Sequence, residues 1–230
     1  MSTTYKEKED EIMEFDMKDK MNKIHNMDCL EFMKQVPDNY FDLVLTDPPY
    51  GINMDNELYK AGENNSKNGF IKHKKTNWDN AIPTKDIFDE IFRVSKNQII
   101  WGGNYFATMM SHNSQGWLYW NKGQDGFSFA DGELAWTSFD KAVRAFRMTR
   151  AEGAREKGLH PTQKPQKVIE WSLLQAKVEK HHKVFDPFMG SGTTAVACQS
   201  LGLEWCGCEL EADYVAIANK RLEAVQGSLF

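Results

Sequence analysis

The sequence predicts an α/β fold in which helices cover both faces of a mostly parallel sheet. From residue 24 onwards, short apolar runs alternate with helical stretches, which is typical of β-α units. The runs are apolar throughout, as strands covered on both faces must be. Proline-rich and glycine-rich motifs follow two of these runs, at the strand ends where open α/β sheets bind their ligands.

Five strands and five helices are predicted along the chain. The strands are Ile24–Met27, Phe41–Thr46, Gln98–Trp101, Lys183–Phe185 and Glu204–Cys208. The helices lie near 29–35, 84–95, 166–178, 193–201 and 211–224. Between 51 and 80, and between 121 and 161, the apolar rhythm fades, which indicates loops or recognition insertions at about 52–80 and 121–160. Residues 1–23 are predicted to form a charged arm that precedes a domain of residues 24–230.

Composition excludes several classes of protein. No run approaches the roughly 18 apolar residues of a membrane span, and the N-terminus lacks an apolar signal region, so we predict a cytoplasmic location. Four cysteines without a Cys-x-x-Cys pair favour buried thiols in a reducing compartment. The net charge of −5, from 28 Lys+Arg and 33 Asp+Glu, argues against a nucleic-acid partner when taken alone.

The first motif, DPFMGSGTT at 186–194, follows a predicted strand and opens a helix. Its glycines allow a ligand to approach the backbone beside a helix N-terminus. Glu209 ends the next strand, where an acid can accept the hydroxyl hydrogens of a ribose. Because position 195 is Ala, the third glycine of the dinucleotide fingerprint is missing, and binding of NAD is only the second choice.

The second motif, TDPPYG at 46–51, ends the most hydrophobic predicted strand. Two prolines remove backbone donors, which leaves Asp47 and the Pro48 carbonyl as rigid acceptors beside the Tyr50 ring. Two acceptors and a stacking ring suit the exocyclic amino group of a flipped base, whose nitrogen they can expose to an electrophile. A purely structural turn is the alternative.

The third motif, HPTQKP at 160–165, precedes the predicted helix 166–178. Thr162 or Gln163 can hydrogen-bond the start of that helix, and Lys164 brings a cation. A proline-bounded helix start without further function explains the same residues.

In this order, DPPY, HPTQKP and DPFMGSGTT resemble the motifs of the β-group of S-adenosylmethionine-dependent DNA amino-methyltransferases. The resemblance covers residues 24–51 and 160–224, and 97–106 more loosely. It implies a Rossmann-like class I methyltransferase fold with permuted motif order, S-adenosylmethionine as the cofactor and no metal ion.

The resemblance also implies roles for individual residues. The catalytic motif comprises Asp47, Pro48, Pro49 and Tyr50. The implied cofactor-binding residues are Asp28, Cys29, Asp47, His160, Thr162, Lys164, Asp186, Phe188, Gly190, Ser191, Gly192, Thr193 and Glu209. Asp28 is similar to the acid that reads the cofactor's adenine, and His160, Thr162 and Lys164 resemble residues near its methionine carboxylate.

Adenine N6 is the predicted methyl acceptor, and cytosine N4 is the alternative. In the group that the chain resembles, Asp at the first motif position is commoner for adenine and Ser for cytosine N4. The chain contains no Pro-Cys dipeptide, so the thiolate nucleophile needed for cytosine C5 methylation is missing.

Two basic segments alter the meaning of the net charge. Residues 60–75 hold five lysines and one acid, and residues 141–167 hold eight Lys+Arg and two acids. Four cations recur every three residues from 141 to 150, which on a helix gives one cationic side along a phosphate backbone. The predicted DNA-binding residues are Lys72, Lys74, Lys75, Lys141, Arg144, Arg147 and Arg150.

The predicted partner is double-stranded DNA. The sequence leaves open a cognate restriction endonuclease or a solitary role, in a prokaryotic or phage-infected cell, and a homodimer. A catalytically silent DNA-binding module is the more distant alternative.

Overall fold

A computed structural model of the chain describes residues 16–52, 79–126, 130–149, 152–153 and 163–227. Within these ranges, eight strands form one sheet. They are β1 (Lys23–His25), β2 (Leu43–Thr46), β3 (Gln98–Trp101), β4 (Leu118–Asn121), β5 (Gly132–Thr137), β6 (Arg144–Arg147), β7 (Lys183–Asp186) and β8 (Glu204–Cys208). The strand order is β1-β8-β7-β2-β3-β5-β4-β6, and β5 runs antiparallel to both of its neighbours.

Five α-helices connect or follow these strands. They are α1 (Cys29–Met33), α2 (Lys85–Val94), α3 (Gln166–Ala176), α4 (Thr193–Ser200) and α5 (Ala212–Gly227), and short 3-10 helices span Met17–Lys20 and Ala107–Met109. Asp28 caps α1 by accepting hydrogen bonds from the amides of Leu30 and Glu31, at 2.8 and 3.1 Å. Helix α3 ends at Lys177, which adopts the left-handed conformation at φ 54°.

Both faces of the sheet are covered, because the side chains of β2 alternate between two apolar clusters. Leu43 and Leu45 pack in a cluster that includes residues of α3, α4 and α5. Val44 packs in the opposite cluster with residues of α1 and α2. The predicted mostly parallel sheet with helices on both faces is therefore confirmed.

The order of the strands defines where a ligand can bind. After β2 the chain crosses to β3 through α2, whereas after β7 it crosses to β8 through α4 on the other face. Since β2 and β7 are neighbours, their connections diverge and leave a crevice at the carboxyl ends of the strands. This is the switch point at which open α/β sheets bind ligands.

Two predictions about residues 121–161 are wrong. Residues 132–137 and 144–147 are strands of the main sheet and not loops or inserted elements. Arg144 and Arg147 therefore do not share one side of a helix; side chains an odd number of positions apart on a strand point to opposite faces. Strand β6 was not predicted because it is an exposed edge strand, which needs no continuous apolar run.

Among the described residues, no helix combines the length and the apolar character that crossing a membrane requires. All four cysteines are buried and unpaired, as predicted. Burial raises the pKa of the Cys29 thiol to about 12.

Candidate active site

A cavity of about 870 Å³ opens at the carboxyl ends of the strands. Its volume lies within the roughly 300–1,000 Å³ that is common for ligand pockets. The second motif lines it with Asp47, Pro48, Pro49 and Tyr50, and the first motif lines it with residues that include Asp186, Phe188, Gly190, Ser191 and Thr193. The two motifs thus share one cavity although about 140 residues separate them.

Asp186 joins the two motifs. Its carboxylate accepts hydrogen bonds from the hydroxyls of Thr46, at 2.7 Å, and Thr194, at 2.6 Å, and from the Phe188 amide at 3.0 Å. Burial raises the pKa of Asp186 to about 6, against three hydrogen bonds that lower it. Asp186 therefore fixes the end of β2 against the glycine turn.

The glycine turn offers backbone and carboxylate groups to a ligand. Gly190 has a φ of 53°, and nothing lies closer than 4.0 Å to the place where a side chain would begin. Its amide donates to Glu209 Oε2 at 2.8 Å, and Oε1 accepts from the Glu211 amide at 2.8 Å. Glu209 lines the cavity, and burial raises its pKa. These residues form the open backbone and acid that a nucleoside needs.

Asp47 and Tyr50 form the other side of the cavity. The Tyr50 hydroxyl donates to Asp47 Oδ1 at 2.6 Å. The Tyr50 ring stacks on Tyr105, with centroids 4.7 Å apart, and packs closely against Gly102. No described residue donates a hydrogen bond to the Pro48 carbonyl, so this oxygen and Asp47 can both act as acceptors. Burial raises the pKa of both Asp47 and Tyr50.

A chain of three charged side chains extends from Asp47. Lys164 Nζ lies 3.1 Å from Asp47 Oδ2 and 2.5 Å from Glu133 Oε2. Lys122 Nζ lies 2.5 Å from the other oxygen of Glu133. Lys164 was expected near a cofactor carboxylate, but the structure directs its ammonium group to two carboxylates of the chain itself.

The other predicted cofactor residues make contacts of several kinds. Asp28 caps α1, and its neighbour Cys29 lines the cavity. Gly192 has a φ of 83° and packs against Ala218 of α5. Arg221 donates to the Ser191 carbonyl at 2.6 Å and lies 3.2 Å from the Thr193 hydroxyl. His160 and Thr162 lie outside the described residues.

The structure separates the predicted DNA-binding residues. Strand β6 is parallel to β4, whose end leads to Lys122 at the cavity. Arg147 aligns with that end of β4, whereas Arg144 aligns with its beginning, roughly 10 Å away. Lys141 lies near Arg144 and donates to the Gln175 carbonyl of α3. Lys72, Lys74, Lys75 and Arg150 lie outside the described residues.

Sequence reasoning missed several residues of the site. Glu133 carried a signal, since it is an acid at the start of the apolar segment ELAWTSF. Tyr105 and Gly102 lie in the segment WGGNYF, where the glycines indicated close approach of a ring or a ligand. Arg221 carried none, because one basic residue on a surface helix has no distinctive pattern.

Comparison with known proteins agrees with this geometry. Residues 143–220 match the sequence model of the N6/N4 DNA methylases. This match supports a relation to the DNA amino-methyltransferases. The chain is 26% identical to the type II methyltransferase M2.DpnII of Streptococcus pneumoniae, over 90% of this chain and 91% of that protein.

Solved structures of DNA methyltransferases share the fold of this chain. The complex of M1.HpyAVI with SAM superposes with a TM-score of 0.56 at 22% identity, over 87% of this chain and 98% of that one. The cytosine-N4-specific PvuII DNA methyltransferase superposes with a TM-score of 0.56 at 14% identity, over 89% and 92% of the chains. The expected Rossmann-like methyltransferase fold is confirmed.

S-adenosylmethionine is the cofactor that the comparisons support, and the residues of the cavity fit it. The open backbone at Gly190, the Glu209 carboxylate and the partly buried Phe188 ring lie together on one wall. Asp47 and Tyr50 line the same cavity.

Proposed function

We propose that the methyltransferase transfers a methyl group from S-adenosylmethionine to adenine N6 in double-stranded DNA, with the target base flipped out of the duplex. The main support for this proposal is that Asp47, Pro48 and Tyr50 line the same cavity as Gly190 and Glu209, at the switch point of the sheet. The Asp form of the catalytic motif supports adenine as the base.

The residues of the chain position the acceptor. S-adenosylmethionine would supply an electrophilic sulfonium methyl group when bound: as the N–CH3 bond forms, the S–CH3 bond breaks, S-adenosylhomocysteine leaves and the amino nitrogen releases one proton. Asp47 and the Pro48 carbonyl accept hydrogen bonds from the two amino hydrogens of the base, so the nitrogen lone pair points away from them. Tyr50 holds the base by stacking, which is worth roughly 1–3 kcal/mol per base. Alignment of this kind can supply several kcal/mol of a barrier, on the order of 7–11 kcal/mol at best.

Stacking on Tyr50 requires a change at Tyr105. Tyr105 covers Tyr50 at 4.7 Å, with an angle of 14° between the rings, and its own side chain is 47% exposed. An exposed ring can rotate away at small cost, and it can then stack on the far face of the base. Tyr105 thereby occupies the place of the base until DNA binds.

Cytosine N4 is the second candidate acceptor. The family model covers N6 and N4 enzymes, and the N4-specific PvuII enzyme shares the fold. Adenine N6 and cytosine N4 are both amino groups conjugated to a ring, so the same acceptors can orient either of them.

The test uses the purified protein, S-adenosylmethionine with a tritiated methyl group, and mixed-sequence duplex DNA. We expect tritium in DNA, and mass spectrometry of the hydrolysed DNA to find N6-methyladenine. Asp47→Ala should abolish transfer while cofactor binding stays measurable by calorimetry. N4-methylcytosine in place of N6-methyladenine would favour the second candidate, and no transfer to any duplex would favour a silent DNA-binding module.

We also propose that the methyltransferase protects DNA against a cognate restriction endonuclease in the cytoplasm of a prokaryotic or phage-infected cell. The type II name of its relative from Streptococcus pneumoniae supports this role. Sequencing of methylated bases in cells that express the protein or Asp47→Ala gives the recognition site, and digestion of that DNA tests protection. A homodimer is a further prediction, which light scattering tests.

A further inference from the structure

Lys164 is the most deeply buried cation beside the catalytic motif. Its side chain is 5% exposed, and its ammonium group lies over the rings of Trp101 and Trp120, at 4.8 and 5.7 Å from their centroids. It contacts the carboxylates of Asp47 and Glu133. A buried ammonium group is costly unless it is paired, so both contacts are needed to hold it there.

Glu133 fixes the position of this cation. Its two oxygens bind different lysines, Lys122 through Oε1 and Lys164 through Oε2, both at 2.5 Å. Burial alone would raise the pKa of Glu133, but the two ammonium groups lower it, so Glu133 is an anion at neutral pH. The two lysines balance the charges of Glu133 and Asp47, and the cluster is neutral as a whole.

The charge of Asp47 decides what it can do for the amino group. An ionised carboxylate is only an acceptor, with about four lone-pair sites on its two oxygens. Tyr50 uses one site on Oδ1 and Lys164 one on Oδ2, so sites remain for an amino hydrogen. A protonated Asp47 would place a hydrogen near the donor that it must bind.

We propose that Lys164 and Glu133 form a positioning pair, in which Glu133 fixes Lys164 and Lys164 keeps the Asp47 carboxylate ionised and directed into the cavity. The pair acts through Asp47 and not on the cofactor, and its catalytic meaning rests on the proposed methyl transfer. Burial raises the pKa of Asp47, and the ammonium group of Lys164 is the largest influence that opposes this rise.

Other groups also influence Asp47. Tyr50 donates a hydrogen bond to it, Asp186 is an anion at the end of the neighbouring strand β7, and Glu133 is an anion on β5, two strands away. Tyr105 stacks on Tyr50 from the outer side. Lys164 and Glu133 act on Asp47 with opposite signs, and this gives the test its direction.

The test follows Asp47 by carbon-13 NMR in protein labelled at the aspartate carboxyl carbon, with Asp47→Asn to assign the signal. An opposite charge at this distance lowers the pKa of a carboxyl by about 1–3 units, so Lys164→Met should raise the pKa of Asp47 by that amount. Glu133→Gln should lower it, because glutamine keeps an oxygen that accepts from Lys164 while the repelling negative charge is removed. Lys164→Arg should keep it within about one unit of the wild type, because the charge is kept.

A matched control removes another lysine from a contact with an aspartate. Lys85 contacts Asp89 on the exposed face of α2, at 2.5 Å, with both side chains more than half exposed. Lys85→Met should leave the titration of Asp47 and the turnover unchanged. Lys164→Met should reduce kcat at least tenfold and leave the dissociation constant of S-adenosylmethionine within about threefold of the wild type.

Two results would overturn the inference. One is an Asp47 titration that does not move in Lys164→Met or, if that variant does not fold, in Glu133→Gln. The other is a tenfold loss of cofactor affinity in Lys164→Met without a shift of Asp47, which would place Lys164 on the cofactor carboxylate. If the variants show the shifts and the wild type shows no methyl transfer, the proposed function is refuted and the action of the pair on Asp47 stands.

Discussion

Gly102 sets the position of the Tyr50 ring, and its replacement by alanine gives a sharp test of the site. Gly102 has a φ of 70°, and a side-chain carbon there would lie 2.1 Å from Tyr50 Cε1. Ordinary contacts begin at 3.4 Å, so the ring would have to retreat by about 1.3 Å. The retreat also removes Tyr50 from its hydrogen bond with Asp47.

The expected loss is in turnover. A misplacement of about 1 Å can cost on the order of 100-fold in rate, so Gly102→Ala should reduce kcat by about that factor. The hydrogen bonds of the proposed cofactor wall at Gly190 and Glu209 do not involve Tyr50, so the affinity for S-adenosylmethionine should change less than twofold. Tritiated-methyl transfer gives kcat, and calorimetry gives the affinity.

Gly202→Ala is the matched control. Gly202 has a φ of 66°, and nothing lies within 4 Å of the place where its side chain would begin. Both substitutions force alanine into the left-handed region, at a cost of roughly 1–2 kcal/mol. Gly202→Ala should show only this loss, a fall in Tm of about 2–8 °C, with normal turnover. Equal turnover in the two variants would refute the argument that Gly102 places the catalytic ring.

Three further results are expected. Gly192→Ala places a carbon 2.6 Å from Ala218 Cβ and should lower the free energy of unfolding by roughly 2–4 kcal/mol in urea titrations. Ala218→Gly should recover the part of this loss that comes from the clash. An equal loss with and without Ala218→Gly would contradict the contact. Arg147→Ala should weaken DNA binding and reduce the slope of log affinity against log salt concentration by about 1, as measured by fluorescence anisotropy. Arg144→Ala should have a smaller effect, since only Arg147 lies at the cavity end of β6, and equal effects would contradict this placement. The pKa of Asp186 rises from 3.8 to about 6 on folding, so its contribution to stability is present below about pH 4 and is lost as the pH rises through 6. Asp186→Asn should remove about 3 kcal/mol of this pH dependence, as measured from urea midpoints between pH 4 and 7. An unchanged profile would refute the raised pKa.

The parallel half of the sheet was predictable because its strands are buried on both faces. Strands such as Gln98–Trp101 and Glu204–Cys208 are continuous apolar runs with clear ends, and the structure has them at the predicted bounds. The strand predicted at Phe41–Thr46 begins two residues later, since Phe41 forms only an isolated bridge to Ser95. Strand β6 was not predictable, because its arginines face solvent at the edge of the sheet.

The motifs predicted which residues line the cavity, and the pairing of their charges emerged only from the fold. Asp47 and Lys164 are 117 positions apart, and no periodicity connects them. They meet because the segment before α3 places Lys164 next to Asp47, which follows β2, and next to Glu133 of β5. Sequence patterns report local burial and turn chemistry, whereas contacts of this kind depend on the order of the strands in the sheet.

The hydrogen bond between Thr46 and Asp186 explains why the order of the motifs along the chain does not affect the chemistry. It joins the ends of the adjacent strands β2 and β7. The motifs that follow these strands line one cavity, whichever strand comes first in the chain. A chain that begins with the cofactor strand and ends with the catalytic strand could build the same cavity, provided that these two strands remain neighbours. Genes that rearrange these segments can therefore keep the reaction while they change the regions that contact DNA.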